Sequence, residues 1–497
     1  MQTNKNEQTY IRVVKDRLKE LGYKPMDDDY YQNIYTWLEW YKGYVPKFHE
    51  YRMFNGMKFL DLTLASMGLP KTFAERWASL LYNDNTAISM AEEDKAAQEA
   101  LDDALKETNF EEQFANTLEL AFALGTAATV VFRKADGKAG VNHIYAPMIF
   151  PLRMENKEIV DCAFASVESE SDYYLNIHEK QPDGSYKITN DFFECKNGGS
   201  KTPVQREDIA PESYSEVKMF QIYRPNIVNK MSLFSPFGMS FYANCIDQFK
   251  TADYAYDALQ NEFRLGKKKV FVPVGTLTYK TMVGVDGKTA EIPIFDENQT
   301  EYYMLPGSSA DDVENTIQEY NPSLRISELL DGIQLAINLA GMNAGFGENY
   351  FTFRDGKVYT NTTQVVSSNS ELYKNILKHE KMLRHGLIEL ARAIYYTAVG
   401  KVYEGDITVD FDDSVVEDSE AKKNQAILEL NNDLIDPVQY YQDVYGMTEQ
   451  QAIDFREKIK GRKEEEQPEE KGPPGLEDED ENEPEKQEEK EEPEEEE

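Results

Sequence analysis

Two long runs of helical periodicity enclose a short β-patterned insert, and this arrangement limits the possible folds more than any other feature of the chain. In the first run, over 240–265, apolar side chains fall at Cys245, Phe249, Ala252, Tyr256, Leu259 and Phe263, steps of three and four that draw one stripe along a helix. Carboxylates Asp247, Asp253, Asp257 and Glu262 lie mostly off that stripe. Gly266 follows, a residue suited to a left-handed cap, and then three lysines, Lys267, Lys268 and Lys269. The second run opens near Pro322, with Ser323 as the expected N-cap. Its stripe is Ile326, Leu329, Leu330, Ile333, Ile337 and Ala340, and it stops in the cluster Gly341, Gly345, Gly347. Between them, roughly 268–322, Val270-Phe-Val-Pro, an Asp286-Gly287 turn, Ile292-Pro-Ile-Phe and Tyr302-Tyr-Met-Leu read as a compact β-containing insert. An insert held at both ends by long helices must protrude from the end of a helical pair.

The flanking chain divides by period. The first 128 residues are mainly helical: Ile34, Trp37, Leu38 and Tyr41 mark one helix, Leu60–Leu81 is an apolar segment, 91–108 reads as an exposed helix, and Phe114, Leu118, Ala121 and Phe122 mark another that ends at Gly125. From about 129 to 233 the period becomes two. Asp136-Gly137, Asp183-Gly184 and Asn197-Gly198-Gly199 punctuate short runs such as Tyr173–Ile177 and Met219–Tyr223, which predicts an antiparallel β section. After the second long helix, residues 350–359 alternate around Asp355-Gly356 as a hairpin, and a third long helix spans Thr362–Val399. A short strand at Ile407–Phe411 and a small helical module at 419–460 complete the body. The Glu- and Pro-rich segment 461–497 has almost nothing to bury and is expected to be disordered.

At 497 residues the chain is long enough for about three units of ordinary size. Its 31 tyrosines and 25 phenylalanines supply both cores and amphipathic rings for subunit interfaces. The formal net charge is −38, and the body remains acidic without segment 461–497. That argues against a protein gripping DNA through a basic face, though not against one that surrounds DNA without gripping it. Cys162, Cys195 and Cys245 lie far apart with no CxxC pair, which fits a reducing compartment. The first residues hold no apolar signal core and no apolar run is long enough to span a bilayer, so a soluble protein with no cleavable signal and no membrane partner is expected.

No motif supports catalysis, a cofactor or a metal. Val283-Gly-Val-Asp-Gly-Lys-Thr289 resembles the end of a phosphate loop, but Met282 stands where the first glycine is needed, so a hairpin is expected. His379 and His385 are six apart rather than four, which suits surface helix histidines better than zinc ligands. The remaining histidines, His49, His143 and His178, form no nucleophile–base set. Asp410, Asp412 and Asp413 lack the glycine and glutamate of a calcium loop. Two readings stay open for Lys267–Lys269: complementing the helix dipole, or contacting phosphate. The same question attaches to Arg354 and Lys357 on the hairpin.

Seven stretches in order carry a family resemblance: Trp37…Tyr41-Lys-Gly, Ala78-Ser-Leu-Leu-Tyr-Asn-Asp, Ala123-Leu-Gly125, Ile149-Phe-Pro151 with Phe164 beyond it, Pro236-Phe-Gly-Met-Ser240, Glu262-Phe-Arg-Leu-Gly-Lys267 and Thr360-Asn-Thr-Thr-Gln-Val365. Over about 26–460 the chain resembles the portal proteins of tailed bacteriophages, especially long-tailed phages of Gram-positive hosts. Where that family usually has a glutamate before the last valine, this chain has Gln364, so a role tied to that charge is not implied.

The resemblance implies an α+β, portal-type fold, mainly helical, with long stem helices, a β-rich wing section and a small α/β clip insert. It implies a wing at 1–239 and 361–400, stem helices at 240–267 and 323–345, a clip at 268–322, a tunnel loop at 346–360 and a crown at 401–460. Such proteins form homo-oligomeric rings, usually 12-mers, at one capsid vertex of the virion, assembled in the host cytoplasm. The implied partners are the terminase large subunit, a head–tail connector or adaptor, major capsid and scaffolding proteins, and double-stranded DNA passing through the channel. Phe351, Arg354, Asp355, Lys357 and Tyr359 would face DNA on the tunnel loop. Arg264, Lys267, Lys268 and Lys269 would guide it where stem meets clip. The competing expectation is an oligomeric virion scaffold or adaptor that never encloses DNA.

Overall fold

The computed structural model describes residues 2–411 except 28, 55, 84, 92–93, 170, 197–198, 208, 274–278, 284–288, 294–301, 306–317, 348–349 and 353–361, and within 426–458 all but 431, 433, 446, 448–450 and 457. The chain divides into two compact units, Met1–Val416 and Glu417–Glu497.

The larger unit opens with α1 (Gln2–Glu20), α2 (Asp29–Tyr41) and α3 (Pro46–His49), then the hairpin β1 (Glu50–Phe54) and β2 (Phe59–Thr63). Next come α4 (Leu69–Leu81), β3 (Ala87–Met90), α5 (Lys95–Glu107) and α6 (Phe110–Leu124). The β section follows: β4 (Ala127–Arg133), β5 (Ala139–Tyr145), β6 (Ile149–Glu155), β7 (Glu158–Val167), β8 (Asp172–Lys180), β9 (Tyr186–Cys195), β10 (Lys201–Val204), β11 (Glu212–Ser215) and β12 (Phe220–Tyr223). Strands β6 to β9 form an antiparallel meander, and β10 and β11 both pair with β9. A second sheet has the order β12-β4-β5. Gly137 (φ 87°) and Gly184 (φ 92°) occupy the predicted Asp-Gly turns, where a positive φ favours glycine.

The two long helices are α7 (Ile246–Leu265) and α8 (Ile326–Ala344). Between them lie β13 (Lys269–Pro273), β14 (Tyr279–Val283), β15 (Thr289–Pro293), β16 (Tyr302–Leu305) and β17 (Gln318–Tyr320). Strand β13 pairs in parallel with β16 and antiparallel with β17, while β14 and β15 form an antiparallel pair around the predicted Asp286-Gly287 turn. That turn lies outside the described residues. The third long helix, α9 (Thr362–Val399), has the predicted bounds, and β18 (Ile407–Asp410) pairs with β3. In the smaller unit, residues 426–430 and 451–456 are helical, as is α10 (Pro437–Tyr445). Among the described residues no helix is long and apolar enough to cross a membrane.

One aromatic core joins the helices to the sheets. Trp37, Phe73, Trp77, Phe114, Phe122 and Phe249 are all fully buried in it. Most of the stretches that carry the family resemblance meet there. Ile149 faces Phe164 directly across β6 and β7. Tyr242 Oη donates to the Trp37 carbonyl at 2.7 Å. Gly125 (φ 81°) and Gly238 touch back to back, so a Cβ on Gly125 would stand 2.6 Å from the Gly238 oxygen. The Gly238 N–H donates to Thr126 Oγ1 at 3.0 Å beside that contact.

Several expectations are corrected. Helix α7 begins at Ile246 rather than 240, because tight turns from Ser240 to Cys245 bury Phe241 and Tyr242 in the core first. The segment 91–108 is not simply an exposed helix: α5 buries Ala97, Leu101 and Ala104, spaced four and three, against α6 and α9. Ser323 is not the N-cap of α8; Arg325 holds that position. Gly266 has φ −78°, so no left-handed cap exists there, and the glycine is required instead by crowding, since a Cβ would meet the Glu262 oxygen and Leu324 Cδ2, each at 2.4 Å. His379 is not a surface residue but is buried against Trp77 and Phe122.

Candidate functional site

The sequence points to the helix pair and its insert, so the site is built from α7 and α8. They run antiparallel. Cys245, at the start of α7, donates through Sγ to the Ala340 carbonyl near the end of α8 at 3.4 Å. At the opposite end, Glu262 meets Arg325. Between these ties, Phe249 and Ala252 on α7 and Ile333, Ala336, Ile337 and Ala340 on α8 are buried. Small alanines on α8 let the two backbones approach closely, with the bulky ring supplied by α7.

The foot of the pair is a charged clasp. One Glu262 oxygen accepts the Arg325 backbone N–H at 3.1 Å, and the other accepts Arg325 Nη2 at 2.9 Å. The Arg325 hydrogen bonds hold Glu262 below the usual carboxylate range and raise the guanidinium in turn. Glu262 thus ties the last turn of α7 to the N-cap residue of α8, in place of the side-chain cap that Arg325 itself lacks. The role of Arg325 was not read from the sequence, although a cation immediately before a helical stripe, facing the acidic end of its partner, was the available signal.

The four cations expected to guide DNA stand around this foot. Arg264 Nη2 donates to Asn261 Oδ1 at 2.7 Å. Lys268 Nζ lies 2.7 Å from Glu319, and Lys269 Nζ lies 5.8 Å from the Tyr320 ring centroid, so both close the insert against its own last strand. Lys267 is exposed at the junction between helix and strand. The structure therefore draws Lys268 and Lys269 into intramolecular contacts that neither reading of the lysine triplet included.

Of the five residues expected on the DNA-facing loop, Arg354, Asp355, Lys357 and Tyr359 lie outside the described residues, as does the predicted hairpin from residue 353 on. Phe351 does not face outward. Its ring stacks on Phe73 at 4.3 Å and contacts Phe346 and Tyr350, while its carbonyl accepts Gln334 Nε2 at 2.7 Å. An aromatic ring gains more by leaving water beside three others than by standing in a polar channel, so Phe351 anchors the start of the loop to α8 and α4.

The upper half of α7 carries a second buried cluster. Asp253 is 3% exposed: Oδ1 accepts the Met67 N–H at 2.7 Å and Oδ2 lies 3.3 Å from His49 Nε2. Burial raises its pKa, and the Met67 and His49 contacts oppose that rise. One turn on, Asp257 accepts the Ala65 N–H at 3.2 Å. These carboxylates, which the stripe pattern places mostly off the buried face, fasten the segment 64–68 to α7.

One further feature of α8 escaped the periodicity reading. Leu335, Leu339 and Met342 repeat at steps of four and three on a face that α7 does not cover, and they are 61%, 43% and 51% exposed. The helix thus has two apolar stripes, of which the partner helix buries one.

No curated protein sequence matches the chain. Among solved structures, it is similar to a chain in the neck of a native GTA particle computed with C12 symmetry, at 10% identity and a TM-score of 0.38, covering 75% of this chain and 89% of that one. It is also similar to a chain in the virion of a native gene transfer agent particle, at 10% identity and a TM-score of 0.39, covering 86% and 96%. The family model described as "Phage portal protein, SPP1 Gp6-like" matches residues 16–471, nearly the whole body of the chain. The chain belongs to the SPP1 Gp6-like family of phage portal proteins.

Proposed function

We propose that this portal protein forms a closed homo-oligomeric ring, usually of twelve copies, at a unique capsid vertex, through which double-stranded DNA is packaged and later ejected. The observation that carries the reading is the second apolar stripe of α8, Leu335, Leu339 and Met342, on an antiparallel helix pair whose far end bears the insert. Side chains of this size left in water on a regular helical face favour a matching surface, and a heterologous contact whose repeated rotation closes on itself gives a ring.

In this reading the stem is 240–267 with 323–345, the clip is 268–322, and the wing is 1–239 with 361–400. The tunnel loop is 346–360 and the crown 401–460, the latter including β18, which pairs with β3. The role is structural rather than enzymatic. A separate terminase docks at the clip and drives translocation, the head–tail connector binds later, and capsid and scaffolding proteins surround the wing. Arg264 and Lys267 at the stem foot, with Arg354 and Lys357 on the loop, supply local positive charge to guide the duplex through an otherwise acidic conduit.

Negative-stain imaging of the purified protein tests this. Rings with an axial channel of roughly 20 Å or more, wide enough for a duplex, are expected. Replacing Leu335, Leu339 and Met342 by serine should reduce the ring fraction by about tenfold or more, through the apolar area no longer buried. A monomer that persists in every salt condition would sink the proposal, and an oligomer without a channel would leave a scaffold or adaptor instead.

A further inference from the structure

The strongest unassigned feature lies on α9. Lys374, Lys378, Lys381 and His385 follow one another at steps of four, three and four, with Arg384 beside them, and all five are exposed. They line a groove of about 760 Å³ together with Asn226, Leu377, Glu380 and Ile388. The wall is fixed: the Asn226 N–H donates to His379 Nδ1 at 3.0 Å, and its side-chain amide donates to the Lys378 carbonyl at 2.7 Å. Arg384 lies 5.5 Å from the Phe411 ring centroid. Among the described residues, two acidic groups near the groove have partners of their own. Glu380 is buried and bonded, and Glu158, which faces His385, is held by Lys218 at 3.0 Å.

This stripe is out of keeping with the rest of the chain. Acidic side chains outnumber basic ones by 91 to 53, and several cations elsewhere sit against carboxylates, as Lys187 does on Glu212, Lys201 on Glu20 and Arg325 on Glu262. Among the described residues, Lys374, Lys378 and Lys381 form no ion pair. Like charges three and four apart on a helix destabilise it, so the arrangement works against the isolated fold and is relieved by an external anion.

We propose that this groove binds the phosphodiester backbone of double-stranded DNA. The cations are spread along a line of roughly 16 Å rather than converging on a point, which suits a linear array of phosphates better than a single small anion. No phenylalanine, tyrosine or tryptophan is among the residues that line the groove, and Leu377 and Ile388 are its apolar ones, so it lacks the aromatic anchors that hold a protein segment. The inference rests on the reading that duplex DNA is handled by this protein, and it adds a contact on the wing apart from the tunnel loop and the stem foot.

The test is equilibrium binding of a fluorescent 30-base-pair duplex to the full chain between 50 and 200 mM salt. Three variants are compared with the parent: K374E/K378E/K381E, K374Q/K378Q/K381Q, and a control, K24E/K95E/K106E, that reverses three exposed lysines elsewhere. Three phosphate contacts contribute roughly 40-fold to the loss of affinity across that salt range, and both groove variants should lose that share of the salt dependence while the control keeps it. The glutamine variant, which introduces no new repulsion, keeps the result interpretable if the reversal disturbs assembly. Unchanged affinity and salt slope in the glutamine variant would overturn the proposal. So would loss of binding to a polyglutamate peptide with duplex binding intact, which would reassign the groove to an acidic protein partner. Ring formation and DNA packaging are scored separately, so failure of the groove and failure of the portal reading give different patterns.

Discussion

Asp253 shows how one side chain can organise a junction. A carboxylate taken out of water is costly unless its oxygens are met, and here both are, by the Met67 N–H and by His49. The His49 ring is fully buried and its Nδ1 also accepts the Val45 N–H at 2.8 Å, so α7, α3 and the segment before α4 share one polar knot. Replacing Asp253 by alanine strands a buried N–H and a buried imidazole, and should destabilise the unit by about 3 kcal/mol, read as a lowered thermal midpoint. A midpoint within a degree of the parent would mean that the knot is not coupled to folding. The burial of Asp253 was not legible in the sequence. It depends on a segment almost 190 positions away folding over the helix, and periodicity describes only a helix and its own faces. His379 misled for the same reason, since the rings of Trp77 and Phe122 that cover it come from other helices.

At the scale of elements, much more could be read in advance. The bounds of α9, the turns at Asp136-Gly137 and Asp183-Gly184, and Ile333, Ile337 and Ala340 on the buried face of α8 follow from spacing and turn chemistry, because local geometry decides them. Helix starts were less legible. Ser323 has the chemistry of a cap, yet a glutamate from the neighbouring helix satisfies the first amide instead. Most of the short stretches behind the family resemblance turn out to be packing points, and Gly125 against Gly238 is a tight one. Gly125→Ala combines a left-handed backbone with a Cβ driven into the Gly238 carbonyl, and should cost about 3 kcal/mol. Gly137→Ala serves as the comparison, because Gly137 has a similar φ with open space around it and should cost only about 1 kcal/mol. Equal thermal shifts in the two variants would show that backbone conformation alone accounts for the effect.

For the whole molecule, the buried histidines set the acid limit. Burial pulls His178 and His379 down to about 3 and His143 to about 4. In the unfolded chain each titrates near its ordinary value of about 6.5, so between those limits the unfolded state binds more protons. Stability from these groups is therefore complete above about pH 6.5 and declines as the pH falls toward 3–4, by about 2 kcal/mol per histidine at pH 5. Asp253, with its raised pKa, works in the opposite direction. Thermal midpoints measured from pH 7.5 to 5 should fall steadily, and a flat or rising profile would contradict the burial of these rings.

The foot of the helix pair has one more consequence. Glu262 and Arg325 join its two ends, and Lys269 stands opposite Tyr320 in the strand register, so the insert leaves and re-enters the body through a single closed doorway. Whatever lies beyond that doorway can lengthen, shorten or change sequence with little effect on the helices, because the entropy of a loop with fixed ends grows only slowly with its length. The insert is therefore a segment that can vary while α7 and α8 keep their packing.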